Sequence, residues 1–196
     1  MQLIHLDEIE ALPALGGQLQ WRPVRHALGI SAFGINAYHG AQPGDLVVEE
    51  HEDEHQELYV VVSGRARFRS GDDQFEAAAG TLVLFEPGEH RVAHAVEPGT
   101  TVLAIGAESA RFKPSAWEYG MRATGLTDLG RHEEARAALA EGRAAYPEWG
   151  FHFTRARIAA AEGELDEARE QLRLAVEADA AAAGHARADA LLAPLL

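Results

Sequence analysis

The sequence contains no cysteine. Disulfide bonds and thiolate metal sites are therefore excluded, and any bound metal must rely on histidine, carboxylate or water ligands. Aromatic residues are also scarce, at 7% of the 196 positions, whereas 47% hydrophobic and 24% charged residues are ordinary values for a globular protein. The length is sufficient for one well-filled domain or two small ones.

Basic residues are few, since 17 lysines and arginines stand against 31 acidic residues and the formal net charge is −14. Such a chain is repelled by phosphate backbones and anionic membrane surfaces, which argues against a nucleic-acid partner and against membrane association. No apolar stretch reaches the roughly 20 residues of a membrane span, and the N-terminal segment lacks the basic and apolar regions of a signal peptide. We therefore expect a cytoplasmic protein.

The hydrophobic pattern changes near residue 113. Before that position, short β-branched and aromatic runs alternate with Gly/Pro turns, as in LYVVVSG (58–64) and TLVLFEPG (81–88). Closely spaced strands of this kind predict an antiparallel barrel or sandwich. After Pro114, apolar residues recur three or four positions apart, which predicts helices. The expected fold class is α+β, with a β-domain over 1–112 and a helical domain over 113–196.

The helical region repeats itself. The segment from residue 121 aligns with the segment from residue 154 at an offset of 33 residues, and Gly130 matches Gly163 while Ala135 matches Ala168. The region resembles two tetratricopeptide repeats, which are helix–turn–helix units of similar length, followed by a capping helix. Because two repeats rarely bury enough surface alone, we expect the barrel, a second copy of the chain or a protein partner to cover them. A cap that only completes the fold and a peptide-binding surface both remain open.

One acidic segment carries the chemistry. Residues 49–57 read EEHEDEHQE, with six carboxylates and two histidines in nine positions, directly before a hydrophobic strand. If the segment is extended, alternate side chains share one face. That face would carry His51, Asp53, His55, Glu57 and Tyr59. Carboxylates buried side by side either raise each other's pKa or need a cation. Histidine together with carboxylate binds Fe, Mn, Ni and Zn, so the pattern predicts a divalent transition metal.

The same segment resembles the first motif of the cupin family, which reads Gly, five residues, His-x-His, three or four residues, Glu, six residues, Gly. Glu57 and Gly64 keep the motif spacing, His51 takes the first histidine position and Asp53 takes the second. Gly44 precedes His51 by one residue more than the motif has. The departure at Asp53 adds a second carboxylate, which favours harder cations.

A second stretch, GTLVLFEPGEHRVAH over 80–94, resembles a contracted second cupin motif, which reads Gly, five residues, Pro-x-Gly, two residues, His, three residues, Asn. Pro87 comes one place late, His90 comes one place early, and His94 stands where asparagine is expected. The resemblance extends over about 20–110 and implies an antiparallel cupin barrel, or jelly roll, in which the two motifs form facing hairpins.

The resemblance also implies a metal site. In metal-binding cupins the ligands are usually the histidines and glutamate of the first motif and the histidine of the second. Carried over to this chain, that assigns His51, Glu57 and His90 as ligands, with Asp53 or His55 in place of the missing histidine.

Tyr59 and His94 are assigned to orienting a substrate or transferring protons. An open coordination position would allow Lewis-acid polarisation or O₂ activation, so the expected activity is that of a dioxygenase or isomerase on a small molecule held in the barrel. Two alternatives remain. In the first alternative, the acidic run is a solvated loop and only Glu57 faces inward. In the second, the barrel is a non-catalytic ligand-binding or scaffold domain whose helical repeats mediate assembly. We also expect a homodimer, since isolated cupin barrels commonly pair through their sheets.

Overall fold

A computed structural model describes residues 1–196, and the chain divides into two compact units, Met1–Phe112 and Lys113–Leu196. The first unit contains ten strands and a short helix, α1 (Val24–Leu28). The strands are β1 Leu12–Ala14, β2 Leu19–Arg22, β3 Gly34–Gly40, β4 Leu46–His51, β5 Gln56–Ser63, β6 Arg65–Ser70, β7 Asp73–Ala78, β8 Leu82–Phe85, β9 Arg91–Ala95 and β10 Thr100–Ala107.

The strands form one near-closed barrel in the order β7-β6-β9-β4-β2-β3-β10-β5-β8, with β1 beside β2. The expectation of a wholly antiparallel barrel is wrong, because β2 pairs with β4 in parallel, at Leu19 and Leu46. β2 runs antiparallel to β3, and the chain reverses again between β3 and β4, so β2 and β4 point the same way. The barrel is therefore mixed.

Large side chains fill the barrel interior. Along β5, Tyr59 and Val61 are buried whereas Val62 faces outward, as the alternation of a strand requires. The Tyr59 ring lies 5.9 Å from the Phe68 ring and 5.8 Å from the Phe85 ring, measured between centroids. The interior is consequently a packed aromatic and aliphatic core, and the polar side chains of the candidate site lie against it.

The second unit is helical, with five helices: α2 Ala116–Asp128, α3 His132–Ala145, α4 His152–Glu162, α5 Leu165–Ala178 and α6 Ala182–Ala188. Gly130 and Gly163 have φ of 72° and 80°, the left-handed conformation that ends a helix, and each separates the two helices of a pair. Ala135 and Ala168 are fully buried within α3 and α5. The predicted helical region is confirmed, and the closer likeness to tetratricopeptide repeats stays a prediction. None of the helices combines the length and apolar composition that crossing a membrane requires.

Candidate functional site

The acidic segment is not one continuous strand. β4 ends at His51, β5 begins at Gln56, and the residues between them form a loop. The Asp53 side chain accepts a hydrogen bond from the His55 backbone N–H at 3.0 Å, which is the local contact by which aspartate bends a chain. β4 pairs with β9 and β5 pairs with β10, so His51 and Glu57 approach each other from different parts of the barrel.

Three of the predicted ligands lie together. His51, Asp53 and Glu57, all partly buried, each offer a ligand atom, and these atoms lie within 4.8 Å of one another. His51 Nε2 is 3.4 Å from Glu57 Oε2. Its other nitrogen, Nδ1, is 2.8 Å from the backbone carbonyl oxygen of Glu49. Since a carbonyl can only accept, Nδ1 carries a proton and Nε2 is the atom presented to the carboxylates.

A buried arginine completes this cluster. Arg91 is fully buried, and its guanidinium donates to Glu57 Oε2 at 2.5 Å and to the Glu89 carbonyl at 2.8 Å. Arg91 is in register with His51 across the β4–β9 pair. The Tyr59 hydroxyl also donates to Glu57 Oε2 and itself receives the Arg91 Nε–H at 3.4 Å. Glu57 is thus held by two donors from fully buried side chains.

The electrostatics of the cluster follow from these contacts. Burial alone would raise the pKa of Glu57, but hydrogen bonds with His51, Tyr59 and Arg91 lower it to about 2, so this carboxylate is ionised. The contact with Glu57 raises the pKa of His51 against the opposing effect of burial. Burial, together with the interaction with Glu57, raises the pKa of Tyr59, which therefore remains a hydrogen-bond donor.

The other predicted site residues lie around the cluster. His55 Nδ1 is 2.7 Å from Asp53 Oδ1, on a half-exposed side chain, and this contact raises the pKa of His55. His90 has 41% of its side chain exposed, with Nε2 3.6 Å from a Glu50 carboxylate oxygen. His94 is exposed on β9, in register with Arg67 of β6. The structure therefore groups His51, Asp53 and Glu57 and leaves both second-motif histidines outside that group.

Arg91 is the residue that sequence reasoning missed. The second cupin motif has its histidine three positions after its second glycine. Counted from Gly88, that position is 91, one residue after His90, so the spacing of the motif points to Arg91. Within β9, Arg91 and Ala93 are both fully buried whereas His94 is exposed. The position at which the cupin motif has a histidine thus holds a guanidinium.

The first unit is a small barrel that carries a partly buried histidine–carboxylate cluster. The protein-family model described as the cupin domain matches residues 38–105, which is about a third of the chain and lies within the barrel. The barrel of the first unit is therefore similar to the cupin domain over these residues. A comparison with curated proteins finds no match.

Three of the solved structures to which the chain is similar are as follows. A Cupin 2 conserved barrel domain protein from Salinispora arenicola is 20% identical, with 56% of this chain and 91% of that chain covered and a TM-score of 0.46. A sugar phosphate isomerase from a cupin superfamily, from Silicibacter pomeroyi, is 20% identical, with 55% and 76% covered and a TM-score of 0.46. A predicted oxalate decarboxylase from Thermotoga maritima is 14% identical, with 55% and 99% covered and a TM-score of 0.47.

Proposed function

We propose that the barrel binds a small molecule and holds a divalent transition metal on His51, Asp53 and Glu57. The observation that carries the proposal is the convergence of three ligand atoms within 4.8 Å, with His51 Nε2 turned toward the carboxylates. The donor set suits Fe, Mn, Ni or Zn, all of which accept imidazole and carboxylate ligands. The bond from Nδ1 of His51 to a backbone carbonyl is the outer contact that metal-binding histidines usually have.

The residues around these ligands have distinct roles in the proposal. Arg91 and Tyr59 orient Glu57 from the buried side, so Glu57 keeps one orientation and stays ionised. His55 orients Asp53 from the outer side. A bound metal would supply Lewis-acid polarisation or O₂ activation, which makes an isomerase or a dioxygenase the reaction types we propose.

A second candidate is a metal-free ligand-binding barrel, and Arg91 favours it. With His51 protonated, two positive groups, His51 and Arg91, balance the two carboxylates Asp53 and Glu57 without any ion. Protons and metal would then compete for His51 Nε2. In this alternative the cluster fixes the inner end of a binding site, and the helical unit mediates assembly.

Metal analysis of protein purified without an affinity tag discriminates between the two candidates. Under the first, wild-type protein supplied with Mn²⁺, Fe²⁺, Ni²⁺ or Zn²⁺ retains about one equivalent of one of these ions after dialysis. His51→Ala removes a ligand and abolishes retention. His90→Ala is the matched control, since His90 lies outside the cluster, and it retains the ion as wild type does.

Retention below a tenth of an equivalent, with no saturable binding on titration, would reject the metal and leave the second candidate. Equal loss of metal retention in His51→Ala and His90→Ala would also count against the proposed ligand set, because His90 would then be as important for metal binding as His51.

A further inference from the structure

A separate cavity opens beside the cluster in the same barrel. It has a volume of about 310 Å³, which is the size of site that takes a small organic molecule. Its principal lining residues are Leu15, Leu19, Trp21, Asn36, Tyr38 and Glu49. Trp21 and Tyr38 are directly opposite each other in the β2–β3 pair, so their rings belong to one wall. None of the predicted metal ligands lines the cavity.

Glu49 is the only charged residue of this lining. Its Oε2 atom is shielded from solvent and has no hydrogen-bond partner, so Oε1 is the carboxylate oxygen that a ligand in the cavity would contact. An unpartnered buried acceptor is unfavourable, and an ionised one more so, unless a donor or a cation approaches it. The backbone carbonyl of the same residue accepts from His51 Nδ1, which links the cavity to the cluster without involving the carboxylate.

The aromatic wall and the carboxylate select the same kind of ligand. The faces of Trp and Tyr rings attract an ammonium group, and an ionised carboxylate adds a charge-assisted hydrogen bond. Leu15 and Leu19 provide apolar surface for the remainder of the molecule. No arginine or lysine lines the cavity, so an anionic group would meet only Glu49.

We propose that this cavity binds a small organic molecule carrying a protonated amine, with the ammonium between the Glu49 carboxylate and the Trp21 and Tyr38 rings. This inference rests on the proposed function in taking the barrel as the part that binds the small molecule, and it deepens that function by naming the ligand class. It does not depend on whether a metal is bound.

Calorimetric titration of the full chain with four probes, three of them similar in shape, tests the assignment. Benzylammonium is expected to bind at least about tenfold more tightly than benzyl alcohol, because only the ammonium pairs with the carboxylate. Benzoate is expected not to bind. Butylammonium, which lacks a ring, is expected to bind in the same Glu49-dependent way as benzylammonium.

Two variants and a control locate the binding. Glu49→Gln keeps the shape and removes the charge, and is expected to weaken benzylammonium binding at least about tenfold. Trp21→Leu is expected to weaken it several-fold. Glu50→Gln is the control, because Glu50 is the exposed neighbouring carboxylate paired with Arg69, and its affinity is expected to match wild type. Glu49→Gln is expected to melt at or above the wild-type temperature, since the variant removes an unpartnered carboxylate.

The assignment is overturned if neither ammonium probe binds, if benzyl alcohol binds as tightly as benzylammonium, or if Glu49→Gln binds like wild type. Metal content measured in the same preparations keeps this outcome separate from the fate of the proposed metal site. Glu49-dependent ammonium binding by metal-free protein would leave the ligand class intact while rejecting the metal. Metal-loaded protein that binds no ammonium probe would leave the metal site intact and reject the ligand class.

Discussion

At the scale of residues, Glu57 is the carboxylate that connects the polar side chains of the cluster. It accepts hydrogen bonds from Arg91 and Tyr59, which are both fully buried, and it faces His51 on the remaining side. Removing one partner of a buried ion pair leaves an uncompensated charge, and this costs far more than the loss of an exposed pair. Stability and site geometry are therefore coupled through a single carboxylate.

Arg91→Met tests that coupling. We predict a loss of about 3 to 5 kcal/mol in the free energy of unfolding, measured by urea denaturation, because Glu57 would remain ionised without its buried partner. Arg67→Met is the control, since Arg67 pairs with Glu76 at a half-exposed site, and it should change stability by less than about 1 kcal/mol. Equal effects of the two substitutions would contradict the account.

The pH dependence of stability has a predictable sign. The pKa of Glu57 is about 2 in the folded protein against an ordinary 4.5, so its contribution is complete above about pH 4.5 and is lost as the pH falls toward 2. The pKa of His51 is raised above its ordinary 6.5, so its contribution is complete below about pH 6.5 and is lost as the pH rises through the folded value.

Glu57→Gln should remove both dependences. The difference in unfolding free energy between wild type and this variant is predicted to be largest between about pH 5 and 6 and to shrink on both sides. Urea denaturation at about pH 3.5, 5.5 and 8.5 measures it. A difference that stays constant across these values would show that Glu57 and His51 do not interact as described.

The sequence predicts the three candidate ligands of the cluster but misses Arg91, and the difference has a physical reason. Strand alternation and motif spacing both include His51, Asp53 and Glu57 among the candidate ligands, because all three lie in one short segment, although that segment is interrupted by a loop between β4 and β5. Arg91 is missed when the second motif is taken as contracted by one residue, because the motif histidine is then assigned to His90. The register of Arg91 with His51 joins two separate strands, and local spacing does not encode such a register.

At the scale of elements, the strand and helix regions follow from their hydrophobic periods, and the change near residue 113 coincides with the limit between the two compact units. Hydrophobic periods do not predict two other features. The loop between β4 and β5 depends on a contact of the Asp53 side chain, and the parallel pairing of β2 with β4 depends on long-range contacts.

The turn between β5 and β6 gives an element-scale prediction. Gly64 has φ of 68°, and a Cβ there would lie 2.5 Å from Thr100 Oγ1 and 2.9 Å from the Thr100 Cα. Gly71, in the β6–β7 turn, has φ of 56° and open space around it. Thermal and urea unfolding should show Gly64→Ala to be at least about 2 kcal/mol more destabilising than Gly71→Ala, since only the former adds a backbone clash. Similar losses would contradict this.

The helical unit gives a second element-scale prediction. Ala135 is fully buried in α3, whereas Ala137 on the same helix is exposed. Ala135→Leu should cost about 1 to 3 kcal/mol through overpacking between paired helices, and Ala137→Leu should change stability by less than about 0.5 kcal/mol. Unfolding followed by far-ultraviolet circular dichroism measures both. A well-tolerated leucine at position 135 would mean that the helices are not closely packed there.

At the scale of the whole molecule, the outer surface of the barrel is not uniformly polar. Leu82 and Leu84 of β8 are 64% and 53% exposed, and Val62 of β5 is 49% exposed. β8 lies at one end of the sheet and pairs with β5, so these side chains form one apolar strip. Such a strip next to an unpaired strand edge favours association with another sheet.

We predict a homodimer formed through this strip. Multi-angle light scattering at micromolar concentration should give twice the chain mass of 21.2 kDa. Leu82→Glu should shift the population to the monomer, because a charge would be buried in the interface. A wild-type species of 21.2 kDa alone would contradict the prediction.

The most direct measurement of the central proposal is an anomalous-difference map from crystals of the full chain grown with Zn²⁺, recorded at the zinc absorption edge. A single strong peak in contact with His51 Nε2 and the carboxylates of Asp53 and Glu57 is the predicted result. A peak at His90 and Glu50 instead, or the absence of any peak at the cluster under saturating Zn²⁺, would contradict it.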